Sequence, residues 1–309
     1  MILVAEPGPL ASVQDPFGRT GWRRYGVPVG GAADAWSARL ANRLAGNAEG
    51  VPVIEITLGG AELHLEAATV IAVTGGLAAT IGGRSLTASA GLRVAAGTSV
   101  RLEPATGARG YLAVNGGIGV EPVMGSASTD LRTGFGGHDG RPLRAGDRLA
   151  IGPPAGPPAI WAGAVADGPI RIVDGPHGSL AAVEALTGAE WTAGIEADRA
   201  GVRLDGPRIG GSSEIASMGL PLGAIQVPPD GRPIVMLVDR PVTGGYPVPA
   251  CVIGVDVRRI AQLRPGDPLR FARVSINEAR DAWHAEERQL DSIEPTDADG
   301  ELGWAGSHR

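Results

Sequence analysis

The chain has 309 residues and a mass of 31.3 kDa, longer than one hydrophobic core usually grows, so two domains of about 150 residues are expected. Apolar residues make up 43%, charged residues 19% and aromatics only 4%, so aliphatic side chains must fill the cores, and the 49 glycines and 25 prolines, scattered between short apolar runs, mark tight turns rather than disorder. All 27 cationic side chains are arginine and the net charge is −6, which argues against a nucleic-acid partner and excludes a Schiff base, a lysine general base, biotinylation of this chain and the Gly-Lys of a P-loop.

The opening Met1-Ile-Leu-Val-Ala-Glu-Pro-Gly-Pro9 lacks a basic n-region, and its apolar run is too short for a signal peptide, so a cytoplasmic location is expected. No run approaches the roughly 20 apolar residues of a membrane helix. The lone Cys251 excludes an internal disulfide and, in the strand-like run Ala250 to Val255, reads as a buried structural thiol.

Short runs such as Val51 to Thr57, Thr69 to Val73, Tyr111 to Val114 and Ile234 to Val238 are bounded by Gly, Pro or Asp, the pattern of strands joined by turns, so the fold is expected to be mainly β. One early helix is marked by Asp34 as cap, by Trp36, Leu40, Ala41 and Leu44 on one face, and by Gly46-Asn47 as its stop. A shorter one is expected over Leu180 to Leu186. Residues 153–169 form a Pro/Gly/Ala stretch without period and read as a linker between an N-terminal lobe, 1–152, and a C-terminal lobe, 170–274. Leu143-Arg-Ala-Gly-Asp-Arg-Leu149 and Leu263-Arg-Pro-Gly-Asp-Pro-Leu269 echo one another, each a Gly-Asp turn feeding a closing strand. Residues 275–309 open on the capping box Ser275-Ile-Asn-Glu278, predicting a surface helix to about Ile293, followed by a mobile tail with Trp304 as its sizeable anchor.

The five histidines stand far apart with neither His-x-His nor HExxH spacing, and a Gly-x-Ser-x-Gly elbow is lacking, so no metal is expected and no triad is indicated. Three glycine-rich turns follow apolar strands: Val73-Thr-Gly-Gly76, Val114-Asn-Gly-Gly-Ile-Gly119 and Val242-Thr-Gly-Gly-Tyr-Pro247. Each serves as a hairpin turn or as a backbone cradle for an anion or planar ligand. The last stands out, because Tyr246 adds a ring and hydroxyl while Gln226, Asp239 and Arg240 add polar groups. Near the start, Val13-Gln-Asp15, Gly18-Arg-Thr-Gly21 and Gly30-Gly-Ala-Ala-Asp34 gather polar groups on turns, where ligand contacts usually sit. Asp34 alone reads first as a helix cap, and Asn42 and Asn47 as groups that cap or bind the helix end. Glu55, a carboxylate among apolar neighbours, needs a partner if buried, and arginine is the charged side chain available to it.

These residues carry a family resemblance. Pro7-Gly-Pro-Leu-Ala-Ser-Val-Gln-Asp15, Gly26-Val-Pro-Val-Gly-Gly-Ala-Ala-Asp34, Ala41-Asn-Arg-Leu-Ala-Gly-Asn47 and Gly116-Gly-Ile118 resemble the family of the 5-oxoprolinase C subunit. That family also takes in the kinase-inhibitor antagonist of sporulation control, the former allophanate hydrolase subunit 2, and part of the carboxyltransferase region of urea carboxylase. The similarity continues through Asp174-Gly-Pro-His177, Asp198-Arg199, Gly201, Arg203-Leu204, Gly223-Ala-Ile-Gln-Val-Pro228, Asp239 and Thr243-Gly-Gly-Tyr-Pro247, over roughly residues 4–272. Departures are Ala33 for the usual methionine before Asp34, Ala127 where arginine is common, and Pro241-Val242 for Gln-Thr.

The resemblance implies two cyclophilin-like β-barrel lobes with a few short helices, and a hetero-oligomer in which a paired B subunit of related fold and an A subunit join this chain. It implies ATP-dependent opening of 5-oxoproline to glutamate, with ATP held by the complex or by this chain. One alternative is carboxyl transfer from biotin carried on another protein, as in urea carboxylase; another is a regulatory protein that sequesters a kinase-inhibitor partner. The residues expected to act are Asp15, Glu55, Asp239 and Tyr246 as catalytic groups. Gln14, Arg19, Asn42, Arg199, Gln226, Thr243, Gly244 and Gly245 are expected to bind substrate, the arginines meeting phosphate or carboxylate.

Overall fold

The computed structural model describes residues 1–86, 89–163, 166–210 and 214–296. Among them the chain is mainly β with four α-helices, as the sequence predicts. It divides into two compact units, Met1–Thr20 with Gly30–Ala164 and Gln289–Arg309, and Gly21–Val29 with Val165–Arg288.

In chain order the first unit contains β1 (Ile2–Pro7), β2 (Leu10–Gln14), α1 (Ala35–Leu44), β3 (Val53–Thr57), β4 (Ala61–Leu65), β5 (Thr69–Gly75), β6 (Ala78–Ile81), β7 (Arg84–Ser85) and β8 (Ser89–Ala90). These are followed by β9 (Leu92–Val94), β10 (Thr98–Glu103), β11 (Arg109–Val114), β12 (Arg148–Leu149) and β13 (Ile160–Trp161). Two sheets, ordered β12-β1-β4-β10-β6-β7 and β2-β3-β11-β5-β9, share a core, while β8 pairs with β13. Period-two burial sets the inward face of the first sheet: Ile2 and Val4 lie opposite Leu65 and Leu63. Strand β11 is buried at every position because both of its faces are covered. Leu112 and Val114 point into the intersheet core, whereas Tyr111 and Ala113 join Ala72 against α1. Asp34 caps that helix as expected, its two carboxylate oxygens accepting the Ser37 N–H at 2.9 Å and Oγ–H at 2.7 Å. Trp36, Leu40, Ala41 and Leu44 are buried on its inner face, and Trp36 meets Trp161 edge-on at 5.2 Å.

The second unit contains β14 (Ile170–Asp174), α2 (Leu180–Thr187), β15 (Glu190–Ala193), β16 (Gly201–Asp205), β17 (Met218–Gly219), β18 (Ala224–Gln226), β19 (Ile234–Met236), β20 (Thr243–Gly244), β21 (Ala250–Val252), α3 (Gly254–Ala261) and β22 (Pro268–Arg273). Seven of its strands close a barrel in the order β14-β21-β18-β19-β16-β15-β22. The ring is sealed by parallel pairing of β14 with β22, Ile170 opposite Phe271. Strands β17 and β20 pair separately. Helix α4 (Ile276–Asp291) begins on the predicted capping box, with the Ser275 N–H donating to Glu278 Oε2 at 2.7 Å and the Glu278 N–H to Ser275 Oγ at 3.2 Å.

The two echoed heptapeptides form the same turn. The Arg144 N–H donates to the Asp147 carboxylate at 2.7 Å and the Arg264 N–H to Asp267 at 2.8 Å, with Gly146 and Gly266 both at positive φ, 91° and 89°. Several boundaries differ from expectation. The stretch read as a linker is fastened to the first unit through residue 159: the Ala155 N–H donates to Asn115 Oδ1, the Gly156 N–H to Gly46 O and the Ala159 N–H to Leu44 O. Residues 21–29 belong to the second unit. The strand-like run at Ala250 to Val255 breaks after Val252, where α3 begins. Cys251 is partly exposed rather than fully buried, although burial still pushes its thiol pKa up. The tail anchor Trp304 lies outside the described residues. No helix among the described residues is long and apolar enough to cross a membrane.

Candidate functional site

In the first unit the end of β2 and the loops that follow it hold Gln14, Asp15 and Arg19, all buried. Asp15 Oδ1 accepts the N–H groups of Phe17 at 3.0 Å and Gly18 at 2.7 Å; Oδ2 accepts from the Ser126 hydroxyl, the Ala127 N–H at 2.8 Å and the Ser128 hydroxyl at 3.0 Å. A carboxylate filled in this way organises two loops, the 15–20 turn and the 126–128 segment. Arg19 donates to Ser128 O and stacks on Phe135, its guanidinium carbon 4.5 Å from the ring centroid. Gly136 has φ of 70°, and a Cβ there would collide with the Arg19 head group and Ser128 O, so glycine is required beside that arginine. Gln14 Nε2 donates to Ser12 Oγ at 3.0 Å and Thr129 O at 3.2 Å, while its buried Oε1 has no hydrogen-bond partner among the described residues.

Glu55 joins this region through the glycine-rich loop 30–34. Its Oε2 accepts the Ala33 N–H at 2.8 Å and the Tyr111 hydroxyl at 2.9 Å, and Tyr111 in turn accepts the Asp34 N–H at 2.8 Å. Arg109 Nε lies 3.9 Å from Glu55 Oε1, supplying the arginine that a buried glutamate needs. Burial, then the charges of Glu55 and Asp34, hold the Tyr111 hydroxyl well above its ordinary pKa. The same loop returns to Asp15, whose carbonyl accepts the Ala32 N–H at 2.8 Å. Asn42 does not join this group: its amide donates to Glu49 O and Val51 O and accepts from Asn47, bracing the end of α1.

In the second unit Arg199 is 5% exposed and grips Asp239 with both arms, Nε to Oδ2 at 2.8 Å and Nη2 to Oδ1 at 3.1 Å. The Asp239 N–H also donates to Arg199 O at 2.9 Å. Arg199 therefore positions a carboxylate at the surface rather than presenting an open fork to a ligand. Thr243, exposed, and Gly244, half-buried, form β20, and Gly245 and Tyr246 are half-buried on the turn that follows it. Gln226 Nε2 donates to Tyr246 O at 3.3 Å. A Cβ at Gly244 would stand 2.5 Å from that nitrogen, so the missing side chain is what lets the amide lie over the turn. Among the described residues the Tyr246 hydroxyl and Gln226 Oε1 make no hydrogen bond to protein, which leaves an amide carbonyl, a phenol and the Thr243 hydroxyl to orient a polar ligand.

The twelve predicted residues thus fall into one group per unit, with Asn42 apart. Sequence reasoning passes over Tyr111, Arg109, Ser126 and Ser128. Tyr111 reads in the sequence only as the edge of an apolar strand, and its alternation with Leu112 is the signal that it faces α1 rather than the intersheet core. A hollow of about 620 Å³ in the first unit, lined by Thr69, Arg93, Asn115, Ile151 and others, contains none of the predicted residues.

Residues 25–273 match the model of the carboxyltransferase domain, subdomain A and B. The chain belongs to the carboxyltransferase-domain family. It is 37% identical to the 5-oxoprolinase C subunit of Escherichia coli K12 over 308 residues, covering 95% of this chain and 97% of that protein. The protein of the same name from Haemophilus influenzae is 35% identical, with 95% and 97% covered. The crystal structure of Kluyveromyces lactis urea amidolyase superposes with a TM-score of 0.86 at 31% identity over 96% of this chain, which spans 20% of that much longer protein. Relatives of this chain are therefore parts of larger enzymes.

Proposed function

We propose that this chain acts as the C subunit of an ATP-dependent 5-oxoprolinase-like amidohydrolase, opening 5-oxoproline to glutamate with its A and B subunits. The observation that carries the reading is similarity: the chain is 37% identical to the E. coli 5-oxoprolinase C subunit, against 31% to K. lactis urea amidolyase. A lactam is a poor electrophile, so ring opening needs activation of its oxygen before water adds to the ring carbon, the C–N bond breaks and the nitrogen takes a proton. The residues expected to meet phosphate do not fit a triphosphate. Arg199 is engaged by Asp239, Arg19 is buried against Ser128 O and the Phe135 ring, and no lysine is present. We therefore assign no phosphoryl step to this chain and place ATP on the partner subunits.

The part left to this chain is orientation. In this reading Gln226 and Tyr246 hold the amide, Thr243 and the Gly244-Gly245 backbone line its approach, and the Asp239 carboxylate, fixed by Arg199, takes a proton from the attacking water and relays it to the departing nitrogen. Asp15, Arg19 and Glu55 hold the loops of the first unit in register. A second reading is supported by the family model and the K. lactis likeness: carboxyl transfer from biotin, which a lysine-free chain receives from a separate carrier. The deciding experiment mixes this chain with its A and B subunits, ATP and 5-oxoproline and follows glutamate. Turnover that depends on all three supports the first reading; a formed complex without ATP-dependent glutamate overturns it. Tyr246→Phe and Arg199→Ala should each impair turnover while the circular dichroism spectrum is retained.

A further inference from the structure

Most arginines near the second-unit turn are matched by acids: Arg199 with Asp239, Arg203 with Glu196 and Asp230, Arg232 with Asp205. Arg23 and Arg240 break the pattern. Arg23 Nη2 donates to Leu220 O at 2.6 Å and Val242 O at 3.0 Å; Arg240 Nε donates to the same Leu220 O at 2.9 Å and its Nη1 to Leu237 O at 3.0 Å. Two guanidinium groups thus share one carbonyl oxygen, and among the described residues neither is paired with a carboxylate. Arg240 is only 7% exposed, and burial followed by the charge of Arg23 pushes it down to about 10. Two like charges held this close in a poorly solvated place repel, and the carbonyls engage only Nη2 of Arg23 and Nε and Nη1 of Arg240. The remaining N–H groups of both forks are available to an oxyanion, which would also relieve the repulsion.

The position of the pair gives the anion its context. Val242 precedes Thr243 directly, the Leu220 N–H donates to Val242 O at 3.0 Å, and Leu220 Cδ1 lies 2.7 Å from where a Gly244 Cβ would stand. The cations therefore flank the turn that carries Thr243, Gly244 and Tyr246. We propose that Arg23 and Arg240 form a carboxylate-binding subsite that orients a small amide acid against this turn. The choice of ligand rests on the reading given under Proposed function: 5-oxoproline bears one carboxylate beside its lactam, whereas urea bears none.

The test is calorimetric titration of the full chain with 5-oxoproline, 2-pyrrolidinone (the same ring without the acid), acetate and inorganic phosphate. Arg23→Gln carries the test because Arg23 is partly exposed, whereas Arg240 ties two backbone carbonyls and its removal risks the fold. The expected result is 5-oxoproline binding weakened about thirtyfold in Arg23→Gln, the effect of losing one charge-assisted partner. Binding of 2-pyrrolidinone should be weak and identical in the two proteins, and Arg24→Gln, which alters the adjacent cation over Tyr25, should bind as wild type. Equal 5-oxoproline affinity in wild type and Arg23→Gln overturns the subsite while leaving the substrate reading standing. Acetate bound through Arg23 without any 5-oxoproline binding supports the subsite and removes the substrate reading. Phosphate bound as tightly as the carboxylates overturns the carboxylate assignment, and failure of every anion to bind overturns the subsite altogether.

Discussion

Tyr111→Phe is the most direct probe of how the first unit keeps its polar loops in place. The substitution removes one oxygen and no carbon, so it leaves the packing of the ring against α1 intact and opens no sizeable cavity. That oxygen has two tasks in a fully buried setting: it donates to Glu55 Oε2 at 2.9 Å and accepts the Asp34 N–H at 2.8 Å. Losing a donor to a charged group costs about 1.5–3 kcal/mol, and an orphaned buried N–H about 1–3 kcal/mol. With partial relaxation the loss should be about 3–4 kcal/mol. Urea denaturation at pH 7, followed by far-ultraviolet circular dichroism, should show this as a lower midpoint with an unchanged slope. Because burial and the Glu55 and Asp34 charges hold the Tyr111 pKa well above 10, the hydroxyl stays protonated and the difference should be constant from pH 7 to 9. A loss below about 1 kcal/mol would refute the argument that this hydroxyl bridges the loop 30–34 to Glu55.

Two further outcomes are expected. Asp256 is 1% exposed and accepts from the Arg171 N–H at 2.7 Å and from both arms of its guanidinium at 2.8 and 2.9 Å. Arg171→Ala should destabilise the chain by about 1.5–3 kcal/mol at neutral pH, because it removes both guanidinium bonds and leaves the buried Asp256 only the backbone N–H of residue 171 and Arg259 Nη1 at 3.7 Å. Burial works to raise the Asp256 pKa, but the bonds from Arg171 outweigh it and leave the carboxyl below its ordinary value. The stabilisation is therefore complete above the unfolded value of about 3.9 and lost as pH falls through the folded one. In urea titrations the gap between wild type and variant should narrow below pH 4; a gap that does not change with pH refutes the assignment. Gly244→Ala should displace the Gln226 amide and lower turnover of the reconstituted complex about tenfold with little change in thermal midpoint, and unchanged turnover would remove Gln226 from the site.

Much of this architecture is legible in the residues. The cap at Asp34, the stripe of Trp36, Leu40 and Leu44, and the box at Ser275 to Glu278 are local signals, and the structure forms each where the pattern places it. Helix α3 escapes notice because Val255, Val257 and Ile260 are β-branched and continue an apolar strand, so the 3.6-residue period is overlaid on a run that suits either element. Chain order alone suggests that residues 21–29 belong to the first unit, and only tertiary packing assigns them to the second. The site shows the same limit. Arginine, aspartate and glutamate can be picked out as chemically able, but whether a fork is free depends on partners far away in sequence. Arg19 is engaged by Ser128, 109 positions on, and Arg199 by Asp239, 40 positions on. Arg23 and Arg240, which lack such acids among the described residues, stand 217 positions apart, and no spacing rule links them.

The assignment of residues 21–29 to the second unit has a bearing on how such a chain is inherited. No single cut yields either unit whole, since a fragment beginning after residue 164 loses Arg23 together with the turn around it, and one ending there loses Leu290 and Ile293 from the core over α1. A gene fusion that took up half of this sequence would receive an unfinished fold, so the two units travel as one cassette.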